Sequence, residues 1–464
     1  MTDVDILVAG AGAAGLAAAL SAAEAGGDVV LIDASESYPA GSNTAMSTSM
    51  IPAGGSRWQQ AAVIDDSPER FRADVRRKTK GAADPTVMTA LTDIAPELVA
   101  WLHDRCGVPL ELVTDFEYPG HSVHRCHAVP DRAGRTLLKH LRGAASKVEA
   151  IAFSSPLRLD RVITSGDRVT GAVLTTPDGS RDEVTARHVV LATGGFGADP
   201  GLVRAYLPEI ADGVYHGGDG CRGDALRIGE QISADLAGLD AYQGHGSLAI
   251  PHGVLLTWAT VMHGGVLLNS AGERFGDETT GYSEFGAKVV AQPGGVGWMV
   301  FDRRIHDACL PFADFRDLVD YGAVRWADDV AAVAATVGAP LDRVASTLAA
   351  AEAAATGQAA DPIGRTSHWE QPLQPPYAVV KVTGALFHTQ GGLAVDSHAR
   401  VLRRGVPVPG LYAAGGAAVG MSGHGADGYL AGNGLLAALG LGYLAGRHAG
   451  GDQSATNTQE TDPP

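Results

Sequence analysis

The first 33 residues alternate between short apolar runs and a glycine-rich turn. Residues 5–9 form an apolar run that predicts a strand, and residues 10–15 predict a tight turn. Residues 16–25 predict a helix whose small residues face that strand. Residues 29–32 are a second strand-like run that ends on Asp33. The pattern therefore predicts a β-α-β unit with two parallel strands.

Longer periodic segments follow this unit. Helical periodicity dominates residues 68–107 and 134–149, and residues 157–159 and 168–174 predict strands. Pro177, Asp178 and Gly179 form a turn between two strands. Residues 188–195 and 411–416 are apolar runs that end in glycines, and each predicts a strand that returns to the first sheet.

The change of pattern along the chain predicts two structural units. Residues 241–365 are rich in aromatic and charged positions and contain a helical stretch at 330–355, which is typical of an inserted cap. Residues 1–240 and 366–449 are predicted to build one domain from both chain ends. Residues 450–464 are polar without apolar periodicity, and we expect them to form a disordered tail.

Composition and charge exclude several classes of protein. The 464 residues carry a formal net charge of −17, which disfavours nucleic acid and anionic membrane as partners unless a local basic patch overrides the field. The four cysteines have no CxxC spacing, so neither a disulfide framework nor a zinc site is expected, and no metal is predicted. Without an export signal or an apolar run of spanning length, we expect a cytoplasmic protein.

The glycines of the first turn have the spacing of a dinucleotide-binding site. Gly10 allows the turn, Gly12 admits a pyrophosphate close to the backbone, and Gly15 lets the helix touch the strand. The helix N-terminus favours phosphate, and Asp33 is placed to bind ribose hydroxyls. The later glycine-ended strands, and the lack of a second GxGxxG, favour FAD over a nicotinamide cofactor.

Six ordered blocks resemble the fumarate reductase and succinate dehydrogenase flavoprotein superfamily, to which flavin-dependent 3-ketosteroid Δ1-dehydrogenases also belong. The resemblance implies an α/β fold in which a Rossmann-like FAD-binding domain, made from both chain ends, carries an inserted α+β cap. The blocks are residues 10–15, Gly41-Ser42-Asn43-Thr44, Ala192-Thr193-Gly194-Gly195-Phe196, Arg274-Phe275-Gly276-Asp277-Glu278, His388-Thr389-Gln390-Gly391-Gly392-Leu393 and Pro409-Gly410-Leu411-Tyr412-Ala413-Ala414-Gly415.

The resemblance also implies which residues hold the cofactor. Members that attach flavin covalently use a histidine after the glycine turn, but residues 45–50 contain none, so we expect non-covalent FAD. The helix that begins near residue 433 is implied to point at the flavin and to stabilise its reduced, anionic form. The implied cofactor residues are Gly10, Gly12, Ala13, Ala14, Gly15, Asp33, Ala34, Ser42, Asn43, Thr44, Ser49, Met50, Ala192, Thr193, Gly194, Gly415, Gly434, Leu435 and Leu436.

The chain departs from the dicarboxylate enzymes of the superfamily where those enzymes hold their substrate with arginine. Tyr429 stands where the carboxylate-binding arginine is expected. His306 stands at the position resembling the catalytic arginine, although a shift of register would bring Arg303 or Arg304 there. If the substrate carries a carboxylate, His388, Arg303 or Arg304 is a candidate to bind it, and contact of His306 or either arginine with the substrate stays open.

A pair of tyrosines instead resembles the ketosteroid dehydrogenases. Tyr282 follows Glu278 by four residues, and Tyr429 precedes the last glycine block. Desaturation beside a carbonyl needs a base, donors to the carbonyl oxygen, and a hydride acceptor. Tyr282 is the predicted base, and Tyr429 with the N–H of Gly432 or Gly434 polarises the ketone.

Two further residues are implied by the resemblance, Tyr118 as a supporting tyrosine and His388 as a substrate contact. For Tyr282 and Tyr429 the alternative is plain packing, and for His388 it is bracing of the cap. Because a free tyrosine has a pKa of about 10, Tyr282 needs a cationic or hydrogen-bonding neighbour, for which His306 and Tyr118 are candidates.

The leading hypothesis is therefore an FAD-dependent desaturase of a cyclic ketone, a 3-ketosteroid or a smaller ring such as a cyclohexanone derivative, with an unidentified electron acceptor. Two alternatives stay open: a reductase of a conjugated carboxylic acid, and an electron-transfer or assembly subunit without a substrate. Two features are ambiguous between catalysis and structure, namely Glu278 and the cationic stretch that contains His121, His124, Arg125 and His127.

Overall fold

The computed structural model describes residues 2–115 and 118–452. The strands in these ranges are β1 (Thr2–Ala9), β2 (Val29–Ile32), β3 (Ile51–Pro52), β4 (Glu111–Leu112), β5 (Cys126–Ala128), β6 (Ile151–Ser154), β7 (Arg158–Ser165), β8 (Arg168–Thr175), β9 (Arg181–Leu191), β10 (Val214–Tyr215), β11 (Leu236–Ala237), β12 (Tyr242–Ala249), β13 (Val254–Leu255), β14 (Val266–Leu268), β15 (Val296–Asp302), β16 (Arg325–Ala327), β17 (Tyr377–Thr389), β18 (Gly392–Leu393), β19 (Arg400–Arg403) and β20 (Val406–Ala413). The α-helices are α1 (Ala13–Glu24), α2 (Asn43–Met46), α3 (Arg57–Ala61), α4 (Pro68–Lys78), α5 (Pro85–Asp104), α6 (Gly134–Ala145), α7 (Pro200–Tyr206), α8 (Asp224–Gln231), α9 (Ala259–Met262), α10 (Tyr282–Val290), α11 (Arg303–Cys309), α12 (Ala313–Asp320), α13 (Val330–Val337), α14 (Leu341–Ala355) and α15 (Asn433–Gly451).

The first sheet has the central order β19-β20-β9-β1-β2-β6, and β8 and β7 extend it from β9. Strand β1 lies between β9 and β2 and runs parallel to both. Its residues Leu7 and Val8 are fully buried, as expected for a parallel strand covered on both faces. Because the carboxyl ends of β1, β2 and β9 meet at one edge, Gly10, Asp33 and Ala192 come together there.

Helices α1 and α15 join the two ends of the chain over this sheet. A Cβ on Gly442 would lie 2.2 Å from the carbonyl oxygen of Ala14, and one on Gly450 would lie 2.4 Å from that of Ala22. The two helices therefore approach each other through their backbones. This contact confirms the predicted construction of one unit, which we call the first lobe, from both chain ends.

A second sheet forms the centre of the cap. Its order is β13-β12-β17-β15-β14, with β10 and β16 also paired to β17. Helices α9 to α14 pack around this sheet and bury an apolar core that includes Phe285, Phe301 and Phe315. The central strand β17 lies beyond residue 365, where the sequence analysis placed the end of the cap, because β17 pairs over its length with β12 and β15.

Several element boundaries differ from the sequence predictions for local reasons. Helix α1 begins at Ala13 rather than residue 16, because Thr44 Oγ1 accepts a hydrogen bond from the Ala13 N–H. The predicted helix 330–355 is two helices, since Gly338 adopts a left-handed φ of +79° and Pro340 follows it. Helix α6 ends at Ala145, four residues before its predicted end.

The carboxyl end of the chain also differs in part from prediction. Helix α15 continues through Gly451, so the first residues of the predicted disordered tail are helical. The remainder of that prediction, residues 453–464, lies outside the described residues. Over the described ranges, no helix combines the length and apolar character that a membrane crossing requires.

We expect Gly442→Ala and Gly143→Ala to change stability in opposite directions. The added methyl at 442 meets the Ala14 carbonyl, and overpacking of this kind lowers the free energy of unfolding by about 1–3 kcal/mol. The matched position in α6, Gly143, has no neighbouring atom within 4 Å, so alanine there should stabilise by up to about 1 kcal/mol. Urea unfolding of both variants measures this, and equal effects would contradict the backbone contact.

Candidate functional site

The glycine turn after β1 brings three backbone segments into contact. Gly10 has a φ of +105°, and a Cβ on it would lie 2.2 Å from the carbonyl oxygen of Ala192. A Cβ on Gly15 would lie 1.7 Å from the carbonyl oxygen of Gly10. Gly12 instead borders open space, with Thr44 Oγ1 at 3.4 Å from its Cβ position. The N-terminus of α1 therefore faces a space that a phosphate group can occupy.

Asp33 is fixed at the end of β2 by the backbone around it. Its Oδ2 accepts a hydrogen bond from the Ala11 N–H at 2.8 Å, and its Oδ1 accepts one from the Ser35 N–H at 2.9 Å. The carboxylate lies beside the glycine turn in the wall of the main cavity. This geometry suits a group that receives hydrogen bonds from ribose hydroxyls.

A cavity of about 570 Å³ extends from the glycine turn to the cap. Among the predicted cofactor residues, Gly15, Ser49 and Leu436 do not line it. Gly15 makes the contact with Gly10 described above, Ser49 accepts a hydrogen bond from the Val129 N–H, and Leu436 is fully buried in the first lobe. The predicted residues in the wall are Gly10, Gly12, Ala13, Ala14, Asp33, Ala34, Ser42, Asn43, Thr44, Met50, Ala192, Thr193, Gly194, Gly415, Gly434 and Leu435.

All five predicted catalytic residues line the same cavity. The ring centroids of Tyr282 and Tyr429 are 6.1 Å apart at 65°, and those of Tyr429 and His388 are 5.7 Å apart at 73°. The Tyr118 hydroxyl donates to Met50 Sδ at 3.3 Å. Gly432 is the residue before α15, so its backbone lies at the N-terminus of that helix. The fold thus assembles residues that are more than 300 positions apart in sequence.

Burial controls the protonation of both tyrosines. Burial raises the pKa of Tyr429, and the backbone N–H groups of Gly434 and Gly432 act in the opposite direction. Burial raises the pKa of Tyr282 well above its ordinary value, and the neighbouring Tyr429 and Tyr118 raise it further. Tyr118 therefore opposes ionisation of Tyr282, contrary to the expectation that it assists.

His388 is held as a neutral imidazole. Burial lowers its pKa to about 4, and its Nδ1 lies 2.9 Å from Gln390 Nε2. Because an amide nitrogen donates, Nδ1 accepts and Nε2 carries the proton. Ser422 Oγ in turn donates to Gln390 Oε1 at 3.1 Å. A Cβ on Gly434 would lie 2.7 Å from His388 Nε2, so glycine there leaves room for the ring.

His245 is a cavity residue that the sequence analysis missed. Its ring stacks at 20° on Tyr282, with centroids 4.9 Å apart, and on Phe387 at 5.2 Å. Burial lowers its pKa to about 3, so it is neutral. The signal in the sequence is the pair of glycines around it in β12, since a Cβ on Gly246 would lie 2.6 Å from Phe285 Cβ.

Among the residues considered for contact with the substrate, His388 lines the cavity, whereas Arg303, Arg304 and His306 do not. Arg303 stacks 3.6 Å from the centroid of Trp326, Arg304 pairs with Glu370, and His306 Nδ1 bonds Asp307. All three lie on α11, whose first turn faces other parts of the cap. The contacts of Arg303, Arg304 and His306 therefore do not support a role for them at the cavity, and His306 is not among the ring contacts of Tyr282.

Two charged segments that were ambiguous in the sequence are structural. Glu278 is fully buried and accepts hydrogen bonds from Arg274 at 2.8 and 2.6 Å. Arg125 is likewise buried between Asp66 and Asp74. Within the cationic stretch, His121 Nε2 contacts the Ala431 carbonyl, and His127 Nε2 contacts Ser56 Oγ. The backbone carbonyl of His124 accepts a hydrogen bond from Gln59 Nε2. None of these residues lines the cavity.

Comparison with known proteins agrees with this geometry. The family model described as FAD binding domain matches residues 5–435. An NADH:fumarate oxidoreductase from Klebsiella pneumoniae (strain 342) is 27% identical over 449 residues, which cover 96% of this chain and 47% of that protein. The chain thus spans about half of that relative's length.

Two solved structures share the fold over nearly the whole chain. The open conformation of a flavocytochrome c3 fumarate reductase is 28% identical, with a TM-score of 0.80, and the match covers 97% of this chain and 78% of that chain. A 3-ketosteroid-Δ4-(5α)-dehydrogenase from Rhodococcus jostii RHA1, in complex with 4-androstene-3,17-dione, is 25% identical, with a TM-score of 0.76. That match covers 97% of each chain.

We expect Asp33→Ala to weaken cofactor binding at least about tenfold, because a ribose hydroxyl would lose a charged acceptor worth about 1.5–3 kcal/mol. The turn that Asp33 holds through the Ala11 and Ser35 N–H groups would also be loosened. Titration of the apoprotein with FAD, followed by flavin fluorescence, measures the change. Asp28→Ala is the matched control, since Asp28 is exposed at the start of the same strand. Equal FAD affinity in both variants would remove Asp33 from the site.

Proposed function

The chain belongs to the FAD binding domain family and is an FAD-dependent oxidoreductase, and from this premise we propose that it desaturates a cyclic ketone. In this proposal non-covalently bound FAD would supply the acceptor for a hydride from the carbon β to the carbonyl. The candidate substrates are cyclohexanone derivatives and 3-ketosteroids. The electron acceptor that completes the cycle is a separate molecule.

The observation that carries the proposal is the charge of the cavity wall. Among the described residues that line the cavity, Arg158 is the sole arginine or lysine. Arg158 lies at the end of the cavity near Asp33, because the N–H of the preceding residue, Leu157, bonds the Asp33 carbonyl. Its guanidinium pairs with Asp224 at 2.7 Å. The cap side therefore offers no guanidinium or ammonium to a carboxylate.

The donors on the cap side suit a neutral carbonyl group. The N–H groups of Gly434 and Gly432 at the start of α15 bond the Tyr429 hydroxyl, and Tyr429 is the proposed donor to the carbonyl oxygen, which would make the neighbouring α proton more acidic. His388 offers its Nε2–H from the opposite strand β17, and it stays neutral because of burial. These donors lie in a buried site, where hydrogen bonds to developing negative charge are strong.

Tyr282 is the proposed base. Its ring is held between His245 on one side and the edge contact with Tyr429 on the other, which fixes the hydroxyl relative to the carbonyl donors. With its pKa raised by burial, Tyr282 is a phenol at neutral pH. The phenolate that removes the α proton is therefore the minor form, and its fraction increases with pH.

A second candidate is the reduction of a conjugated carboxylic acid. The relatives named as fumarate reductases favour it, since they match nearly the whole chain at 27–28% identity. The absence of a cation from the cap side of the described cavity wall disfavours it, because a buried carboxylate without a partner loses its hydration without compensation. We therefore place it second.

Anaerobic mixing distinguishes the two candidates. We expect the oxidised protein to lose its flavin absorbance with at least one member of a panel of cyclic ketones that contains cyclohexanones and 3-ketosteroids. We expect the chemically reduced protein to keep its flavin reduced in the presence of fumarate, acrylate and urocanate. Flavin reoxidation by these acids, with no bleaching by any ketone, would replace the first candidate by the second.

Tyr282→Phe should lower the rate of ketone-driven flavin reduction by about 100-fold or more, as loss of a general base does. In the unmodified protein the rate should rise with pH through and above neutrality, because the raised pKa of Tyr282 keeps the phenolate scarce at low pH. The measurement is stopped-flow flavin absorbance at steps of about one pH unit from about pH 6 to about pH 10.

The control for this experiment is Tyr321→Phe, since Tyr321 is 62% exposed on the cap. It should leave both the rate and its pH dependence unchanged. A Tyr282→Phe protein that binds FAD and retains the rising pH profile would exclude Tyr282 as the base.

A further inference from the structure

Helix α6 carries a basic face that the proposed reaction does not use. Residues 132–147 contain five arginines and lysines and no carboxylate, in a chain whose net charge is −17. Arg135, Lys139 and Arg142 are exposed and recur at a spacing of four and three residues, so they share one face of the helix. Its opposite face is apolar and buried in the first lobe.

The cations on this face lack carboxylate partners. No ion pair within 4.0 Å joins Arg135, Lys139 or Arg142 to a carboxylate in the described parts of the chain, while Arg132 pairs with Asp115. Asp131 precedes the helix and accepts from Thr136. Burial raises the pKa of Asp314 on α12 and Arg135 opposes that shift, so Arg135 has a carboxyl group in its neighbourhood without a close ion pair. The exposed Lys139 and Arg142 project their positive charge into solvent.

Helix α4 is also rich in arginine and lysine, but most of these side chains form ion pairs with carboxylates. Its Arg72 pairs with Glu69 and Asp93, Arg77 pairs with Asp74, and Lys78 pairs with Glu284. Most of the charge of α4 is thus neutralised within the fold. The charge of α6 is left available.

The basic face lies beside the flavin cavity. The Gly134 N–H, in the first turn of α6, donates to the Ser47 carbonyl at 2.7 Å, and Ser47 lines the cavity. Towards the other end of the helix, the Arg142 guanidinium stacks 4.9 Å from the centroid of Tyr38, which also lines the cavity. A molecule bound on α6 would therefore contact the elements that form the cavity wall.

We propose that the basic face of helix α6 is the docking site of a small acidic one-electron carrier protein that reoxidises the reduced flavin. The proposal rests on the proposed function in needing an acceptor other than the ketone. Two carrier molecules each take one electron from the two-electron reduced flavin, and its proton leaves to water. The net charge of −17 repels such a carrier from other faces, so α6 fixes where it approaches.

A small protein fits this face better than an anionic membrane does. Membrane-surface helices insert an apolar face into the lipid, but Leu137, Leu138 and Leu141 of α6 are buried in the first lobe. An extended anionic surface would also meet the acidic remainder of the protein. A compact carrier touches only the basic face.

The test uses cytochrome b5 as an acidic carrier and cytochrome c as a basic one. The bound flavin is reduced with stoichiometric dithionite under anaerobic conditions, and the haem absorbance reports electron transfer. At low salt, Arg135→Glu with Lys139→Glu should slow the reduction of cytochrome b5 about tenfold or more and should not slow that of cytochrome c. Added salt should slow the unmodified protein with cytochrome b5.

The matched control is Arg76→Glu with Arg204→Glu, which makes the same change of charge at exposed positions on α4 and α7. It should change the rate less than twofold. Arg135→Gln with Lys139→Gln serves if the double glutamate variant loses FAD or folds poorly. Binding of cytochrome b5 to the oxidised protein, measured by calorimetry, should weaken in the α6 variants alone.

Three results would overturn the docking site: equal effects of the α6 and control variants, a rate with cytochrome b5 that rises with salt, or binding to phosphatidylglycerol vesicles without binding to cytochrome b5. Because dithionite supplies the electrons, these results do not depend on any ketone. A ketone panel that fails while cytochrome b5 reduction stays dependent on α6 would remove the proposed substrate alone.

Discussion

The backbone contact between helices α1 and α15 is the constraint on which the rest of the structure depends. Each helix begins at the cavity, α1 after Gly12 and α15 after Gly432, so both N-termini direct their partial positive charge into the space that would hold the cofactor. The helices can converge there only because glycine and alanine stand where they cross. Glycine inside a helix costs about 0.5–1 kcal/mol relative to alanine, and it is retained here because any side chain would separate the helices.

Neutrality of the buried polar groups is the second general feature of the site. Burial lowers the pKa of His245 to about 3 and that of His388 to about 4, and it raises the pKa of Tyr282 and Tyr429. Near neutral pH these four side chains are therefore uncharged, and they line the cavity together with aromatic rings and the carboxyl group of Asp314, whose pKa is raised by burial. Such a wall stabilises charge that develops on a substrate oxygen during reaction, and it gives no advantage to a substrate that arrives charged.

The sequence predicted those parts of the protein that depend on local chain geometry. The turn at Gly10 and the resemblance of six blocks were sufficient for the FAD fold, because close backbone approach leaves few residue types possible. The start of α1 was missed, since its partner Thr44 belongs to another segment. His245 was missed because its place in the site comes from stacking on Tyr282, which is distant in sequence. His306 packs against Phe315 instead of the cavity, because position in the sequence alone does not determine which way a helix residue faces.

The cavity wall and the surface of helix α6 differ in their electrostatic character. A cap-side wall without arginine or lysine would favour an uncharged substrate, whereas the proposed carrier would be attracted by the long-range field of the surface. In a chain of net charge −17, a basic helix face would both orient and contact an acidic partner. Because α6 packs against the segment that contains Ser47, a partner bound to α6 would lie close to the cavity wall.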